Sequence, residues 1–288
     1  MSFTATDVKN LREKTGAGMM ECKRALVEAK GDMQDALELL RKQGLAIAAK
    51  KSARSASEGT IGSWVNAQTY EAGLVEIFCE TDFVAKNEGF QHFTSRITKT
   101  LSEKKPKDLD ALLQLQTTEG TVKDTVTAIV AKIGENVGIR RFVTLSAKND
   151  EKLGQYIHAG NKIGVLVKLK DPTHKVNDAT LRDVAMHIAA MNPQYVRSDE
   201  VPDTVLAKEK EILKAQMADQ KKPAEIIEKI VSGKMTKFFS EVCLEEQMYV
   251  KDVEGKKSVK AFLTSIDPNI RIESFVRYQV GESEVKSE

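Results

Sequence analysis

The apolar residues of the first fifty positions recur at spacings of three and four residues, which predicts short amphipathic helices. A capping signal at residues 4–7 opens the first helix, and the Gly-Ala-Gly sequence at 16–18 separates it from the second. Asp32 is the expected N-cap of a third helix, and Gly44 stands where that helix would end. Residues 1–49 are therefore expected to form a three-helix module, which is either a small packing unit or a docking unit for a partner.

A linker and an α+β segment follow the module. Residues 50–59, KKSARSASEG, lack large apolar side chains and are expected to form an exposed linker. Beyond them, residues 60–146 combine strand patterns with helical periods, which predicts a first subdomain. The strand patterns cover 60–65, 74–79 and 138–145, and the first helical period is carried by Phe90, Phe93, Ile97 and Leu101.

Residues 147–281 repeat this layout, which suggests an internal duplication. The strand–turn–strand sequence at 153–169 has the outline of the one at 60–78, and a helix and a closing strand follow it. Residues 282–288 are expected to be a frayed tail. The chain is therefore predicted to be of the α+β class, with a two-subdomain core built on antiparallel sheets.

A highly charged stretch interrupts the second subdomain. At about 202–243, two helical patterns flank the turn signal Lys221-Lys222-Pro223. The first helix has only a thin apolar stripe through Leu206 and Leu213, which is typical of a protruding antiparallel hairpin rather than of a core helix. Such an arm would contact a partner or a second copy of the chain, or it would be a solvated flap, and the sequence favours neither.

Composition narrows the functional classes. The net charge of the 288 residues is only +2, whereas a dedicated nucleic-acid-binding domain carries a strong basic excess. No apolar run approaches the roughly 20 residues that span a bilayer, and the first ten positions lack the pattern of a secretory leader. The three cysteines, Cys22, Cys79 and Cys243, have neither zinc-site nor disulfide-framework spacing. We therefore expect a cytoplasmic protein without a nucleic-acid or membrane partner.

The motif CETDFVAKNEGF, at the end of an apolar strand run, is the strongest candidate for a site. Glu80 and Asp82 could share one face of a strand as paired carboxylates for acid–base chemistry or Mg²⁺. The phenyl ring of Phe83 beside them and the lack of a third ligand argue against that interpretation. Cys79 is expected to be buried, and Asp82 and Phe83 are expected to be an exposed pair that binds a partner.

Other candidates for chemistry are weaker. A lone histidine such as His158 is more often structural than catalytic, but its position in a Gly-rich turn at a comparable strand exit is compatible with a binding contact. The four histidines lack metal-ligand spacing, and the sequence Gly16-Ala17-Gly18 lacks the lysine of a phosphate-binding loop. We therefore expect no catalytic residue, no metal site and no cofactor, and a protein that is not an enzyme.

Two segments of the chain resemble the signature segments of the bacterial elongation factor Ts family. They are LREKTGAGMMECKRAL at 11–26 and EIFCETDFVAKNEGF at 76–90. Further matching segments, in the order and spacing of the family, lie at 130–141, 156–167, 184–196 and 226–244. The resemblance implies a guanine-nucleotide exchange factor for elongation factor Tu in translation elongation. The fold that it implies is a ubiquitin-associated-like module, a two-part core and a coiled-coil arm.

The resemblance also assigns site residues. In the family, the segment matching Thr81, Asp82, Phe83 and Val84 displaces Mg²⁺ from factor Tu, with the Asp-Phe pair inserted between helices of the GTPase domain.

Other partner contacts are implied at two further places. The histidine matching His158 touches the third domain of factor Tu. The N-terminal module docks on the GTPase domain, with contacts assigned to Gly16, Gly18, Met19 and Met20. A homodimer or a 2:2 complex through the arm is compatible with the resemblance. From the residues alone, the alternative is a non-catalytic ribosome- or RNA-associated interaction protein.

Overall fold

The computed structural model describes residues 3–118, 120–216 and 223–282, and in these ranges it has eleven α-helices and eight strands. The helices are α1 Ala5–Thr15, α2 Met19–Glu28, α3 Met33–Lys51, α4 Asp82–Ala85, α5 Glu88–Lys104, α6 Leu109–Gln114, α7 Val122–Ile133, α8 Asp178–Met191, α9 Asp203–Ala215, α10 Ala224–Val242 and α11 Val259–Ile266. The strands are β1 Glu58–Asn66, β2 Glu71–Cys79, β3 Gln116–Thr117, β4 Gly120–Thr121, β5 Gly138–Ser146, β6 Glu151–Ile157, β7 Ile163–Lys170 and β8 Arg271–Gln279. The predicted α+β class is confirmed.

Helices α1 and α3 begin at the predicted capping residues. Thr4 and Asp7 form a reciprocal capping box, in which the Asp7 amide donates to Thr4 Oγ1 at 3.2 Å and the Thr4 amide donates to Asp7 Oδ2 at 2.7 Å. Gly16 ends α1 with φ of +67°, a conformation that glycine adopts without a steric penalty. Asp32 caps α3 by accepting from two backbone amides. Local sequence signals therefore determine these helix ends.

The predicted helix end at Gly44 is wrong, because α3 continues to Lys51. Gly44 is buried against α7, where an added Cβ would lie 3.6 Å from both Thr127 and Ala131. The glycine thus serves close packing of two helices rather than a turn. As a result, the first residues of the predicted linker are helical, and Glu58 already belongs to β1.

Two three-stranded antiparallel sheets share the same layout. The strand orders are β1-β2-β5 and β6-β7-β8, so the second strand is central in both sheets. This matches the predicted repeat of strand–turn–strand, helix and closing strand, although the division into subdomains stays a prediction. The one-turn helix α4, the β3–β4 hairpin and α11 are not predicted from the sequence.

The two sheets pack face to face and are each covered by helices on the outside. Ile61 and Leu74 of the first sheet meet Leu166 of the second, while the alternate residues of β2 and β7 face outward. Helices α5 and α7 cover the first sheet, and α8 and α11 cover the second. An added Cβ at Gly164 would lie 2.5 Å from Ile61, so this glycine allows the sheets to approach closely.

The charged stretch forms a pair of helices, α9 and α10, that pack through Leu213, Val231 and Met235. Lys221 and Lys222 of the predicted turn between the two helices lie outside the described residues. Residues 283–288 of the predicted tail also lie outside them. Whether the arm contacts a partner or is solvated stays a prediction. None of the helices among the described residues is long and apolar enough to cross a bilayer.

His187 of α8 is fully buried and joins this helix to the segment that follows the arm. Its Nδ1 accepts a hydrogen bond from the Val250 amide at 3.1 Å, and its Nε2 lies 3.0 Å from Gln247 Oε1. The ring is therefore neutral, with its proton on Nε2. Burial lowers the pKa of His187 below its ordinary value of 6.5.

We expect His187 to make the protein less stable in mild acid. Above pH 6.5 the imidazole is neutral in both the folded and the unfolded chain. As the pH falls below that value, the unfolded chain binds the proton first, so the free energy of unfolding decreases toward the lower folded pKa. Chemical denaturation at pH 7.5 and about pH 5.5 would measure this slope. The slope should be smaller in His187→Gln, and an equal slope in both proteins would contradict the assignment.

Candidate partner-binding site

Strand β2 ends at Cys79, whose side chain is fully buried as the sequence predicts. Its Sγ donates to the backbone oxygen of Thr81 at 3.2 Å. Burial is the main reason that the pKa of Cys79 is raised to about 12, and the nearby carboxylate of Glu135 adds to the shift. The thiol is therefore a packing group and not a nucleophile.

The residues after β2 form one helical turn, α4, rather than an irregular turn. Thr81 is its N-cap and accepts a hydrogen bond from the Val84 amide through Oγ1 at 3.3 Å. Ala85 is buried in the core of the first sheet, and Asn87 caps the next helix, α5. The short helix is thus connected to buried structure at both of its ends.

Phe83 points away from this core and is 82% exposed, the most exposed aromatic side chain among the described residues. Asp82 beside it is about half-exposed and pairs with Lys86, whose Nζ lies 2.9 Å from Oδ2. The pKa of Asp82 lies below its ordinary value mainly because of that hydrogen bond. The exposure predicted for the Asp-Phe pair is therefore confirmed, and the carboxylate is charged near neutral pH.

The alternative of paired carboxylates is wrong, because Glu80 and Asp82 have different partners. Glu80 Oε1 accepts from the Asn136 amide at 2.6 Å, and its Oε2 lies 3.5 Å from the guanidinium of Arg54. Asp82 instead faces Lys86 across the turn of α4. Among the described residues, no group of His, Cys, Asp and Glu side chains is arranged to hold a metal ion.

Glu135 contributes three hydrogen bonds to the start of α4. Its Oε2 accepts from the backbone amides of Glu80 at 3.0 Å and Thr81 at 3.1 Å, and its Oε1 accepts from the Thr81 hydroxyl at 2.7 Å. Gly134, with φ of +79°, ends α7 and turns the chain so that Glu135 faces this segment. Residue spacing gives no sign of these contacts, because they join positions more than fifty residues apart.

Comparison with known proteins shows which protein family the chain resembles. A family model described as elongation factor TS matches residues 80–282. An elongation factor Ts of Nautilia profundicola is 45% identical over 99% of this chain and 95% of its own length. Those of Thioalkalivibrio sulfidiphilus and Clostridium tetani are 46% and 43% identical, over 98% and 99% of this chain and 93% and 96% of their own lengths.

The chain belongs to the elongation factor Ts family. The resemblance found in the signature segments is thereby confirmed, and the chain is a translation elongation factor. The family match begins at Glu80, so it includes α4 and the Glu135 contacts. The three-helix module lies before that match but is spanned by the alignments with elongation factor Ts relatives.

The structure places the remaining predicted contact residues of this elongation factor Ts family member in two separate regions. His158 is exposed in the β6–β7 turn, with Nδ1 3.1 Å from the Tyr156 hydroxyl. Lys162 of the same turn pairs with Glu58, and the Asn161 backbone oxygen accepts from the Ile61 amide at 2.7 Å, so this turn lies against β1 of the first sheet.

The second region is the start of α2 in the N-terminal module. Met19 is 53% and Met20 is 64% exposed, directly after the exposed Gly18. Gly16 is half-buried and packs near the Lys132 side chain of α7. Among the described residues, no hydrogen bond or apolar cluster joins the two methionines to Phe83.

Proposed function

We propose that the protein is a guanine-nucleotide exchange factor that binds elongation factor Tu in the cytoplasm, displaces Mg²⁺ and promotes release of GDP. The observation that carries the proposal is Phe83, which is 82% exposed on a helical turn fixed to the core. Binding residues concentrate on short segments that a rigid scaffold holds in place, so an exposed ring on such a turn is available to a partner. Membership of the elongation factor Ts family supports elongation factor Tu as the partner.

The two side chains of the wedge, Asp82 and Phe83, act in different ways. Burial of the Phe83 ring in the partner contributes roughly 1.5–3 kcal/mol to binding. The Asp82 carboxylate accepts hydrogen bonds from donors of the partner, since its exposed pair with Lys86 is weak and readily exchanged. Thr81 and Val84 hold the ends of the turn that carries them.

Exchange by this route needs no covalent chemistry in the protein. If the wedge fits only a form of factor Tu that cannot hold Mg²⁺, then wedge and nucleotide oppose each other. Linkage makes the effect reciprocal, so that bound GDP weakens the binding of the protein by the same factor. A coupling of about 3 kcal/mol corresponds to a factor of roughly 150. Fresh nucleotide therefore ends each round by expelling the protein.

Further contacts strengthen the complex without acting on the nucleotide. His158 contacts the third domain of factor Tu, and the module contacts the GTPase domain through Gly16, Gly18, Met19 and Met20. The exposure of Met19 and Met20 supports this role, because flexible thioether side chains adapt well to a partner surface.

Removal of the wedge should slow exchange. With the double variant Asp82→Ala, Phe83→Ala, we expect the rate of stimulated GDP release to be lower than with the wild-type protein by a factor of about ten or more. The lost burial of the Phe83 ring alone corresponds to that factor. Release of a fluorescent GDP analogue from factor Tu measures the rate. Excess Mg²⁺ should reduce the wild-type acceleration, because the metal and the wedge compete.

Val253→Ala is the matched control, because it removes an apolar side chain that is 100% exposed elsewhere on the surface. This variant should accelerate GDP release as the wild-type protein does. Full acceleration by the double variant would exclude the wedge as the active element. The thermal transition of both variants should stay at the wild-type temperature, since neither change opens the core.

A further inference from the structure

The helical turn that carries Phe83 is too short to be stable by itself. Helix α4 has four residues, whereas isolated helices become stable only above about 12 residues. Its first amides and its direction must therefore be fixed by groups from elsewhere in the fold. Buried Ala85 fixes its end, so its start needs a second attachment.

Thr81 provides that attachment, because all of its polar groups are bonded. Its amide and hydroxyl both donate to Glu135, at 3.1 and 2.7 Å. Its backbone oxygen accepts from Cys79 Sγ and from the Ala85 amide, each at 3.2 Å. Glu135 therefore receives both donor groups of the residue that immediately precedes Asp82.

The contact is also reciprocal. The Glu135 carboxylate accepts from the Glu80 amide, and the Glu80 carboxylate accepts from the amide of Asn136 at 2.6 Å. The Asn136 side chain donates in turn to the Arg54 carbonyl at 2.8 Å. Two carboxylates on neighbouring loops thus fix each other's backbone, which restricts the rotation of the loop at the base of α4.

We propose that Glu135 is a positioning residue for the wedge: its carboxylate fixes Thr81 and thereby the direction in which Phe83 projects. The proposal rests on the proposed function of the wedge. Glu135 acts through Thr81 and needs no contact with factor Tu. Charged acceptors suit this task, because their hydrogen bonds are roughly twice as strong as those between neutral groups.

The direction of Phe83 can be measured in the free protein. We would place para-fluorophenylalanine at position 83 and record fluorine NMR spectra of the wild-type protein, Glu135→Ala and Glu135→Gln. The wild-type protein should give one resonance, which Glu135→Ala shifts or broadens. Glu135→Gln should resemble the wild type, since its amide oxygen still accepts from both backbone amides. Glu103→Ala, which removes an exposed carboxylate at the far end of α5, is the control for charge.

The rate of GDP release from factor Tu is the second measurement. Glu135→Ala should slow factor-stimulated GDP release by about tenfold, the low end of what the loss of hydrogen bonds to a charged acceptor implies. Glu135→Gln should retain most of the acceleration, and Glu103→Ala all of it. In the background of Phe83→Ala, Glu135→Ala should cause no additional slowing, because the group that it positions is already absent.

The outcomes separate this inference from the proposed function. If Glu135→Ala changes the fluorine resonance while Phe83→Ala leaves GDP release unchanged, Glu135 positions Phe83 but the wedge is not the exchange element. If Phe83→Ala slows release while Glu135→Ala changes neither the resonance nor the rate, the positioning role is wrong. The positioning role is also wrong if Glu135→Ala slows GDP release by the same factor in the wild-type and the Phe83→Ala backgrounds. Should Glu135→Ala fail to fold, Glu135→Asp, which shortens the side chain by one methylene, replaces it in each comparison.

Discussion

Replacing Phe90 with alanine is expected to lower the free energy of unfolding by about 3–5 kcal/mol. Phe90 is fully buried in α5, in the core beneath the first sheet, where it packs with Ile77 and Ile97. Loss of the ring removes apolar burial and leaves a cavity, since close-packed neighbours relax only in part. Chemical denaturation followed by the fluorescence of Trp64, the single tryptophan, measures the effect in this part of the protein.

Phe83→Ala is the matched comparison, because the same residue type stands seven positions earlier in the opposite environment. With its ring 82% exposed, its loss should change the free energy of unfolding by no more than about 0.5 kcal/mol. Phe90→Ala should therefore impair stability, and Phe83→Ala should impair exchange. Equal losses of stability in the two variants would contradict the burial of Phe90.

A comparable loss is expected for Glu76→Ala, about 3–5 kcal/mol. Glu76 is fully buried in β2, where Oε2 accepts from Arg141 Nε at 2.7 Å and Oε1 lies 3.1 Å from Arg140 Nε. Oε1 also accepts from the amide of Gly281 at 3.1 Å. Removal of the carboxylate takes this counter-charge from Arg140 and leaves Arg141 with only Glu282, at 3.8 Å. The loss of one partner of a buried pair costs more than the pair itself contributes.

The same denaturation measurement applies to Glu76→Ala. The control is Glu103→Ala, whose carboxylate lies 3.8 Å from Lys99 Nζ on the exposed face of α5. An exposed ion pair contributes at most about 1 kcal/mol, so the control should unfold near the wild-type denaturant concentration. If the two variants lose similar amounts of stability, water must reach Glu76 in solution.

Much of the fold could be predicted from local signals. The helix starts at Thr4 and Asp32 follow from side chains that bond the next few amides, and these contacts lie within three residues in the sequence. The buried face of α5 follows from its helical period. The sequence of α11 also carries a usable local signal, since Ser258 precedes apolar residues at helical spacing, namely Val259, Phe262, Leu263 and Ile266.

Two features depended on tertiary contacts and could not be predicted locally. Glycine can end a helix or permit two helices to pack closely. Only the position of α7 shows that Gly44 permits close packing. Likewise, α4 is stabilised from a loop more than fifty residues away, so its sequence alone indicates a turn. The exposed pair was found from residue chemistry, whereas its partner and the module contacts came from family resemblance.

Helix α7 has a consequence for how the protein would hold its partner. The N-terminal module lies along this helix, from the ion pair of Arg41 with Asp124 to the packing of Gly16 near Lys132, and the next turn of chain carries Glu135. Twelve helical residues span about 18 Å, so one helix connects the N-terminal module to the base of the proposed wedge. Once the module has bound factor Tu, the wedge would meet its target at a high effective concentration rather than by a new diffusional encounter. Under the proposed function, the wedge could then bind weakly by itself, which would make its release by incoming nucleotide easier.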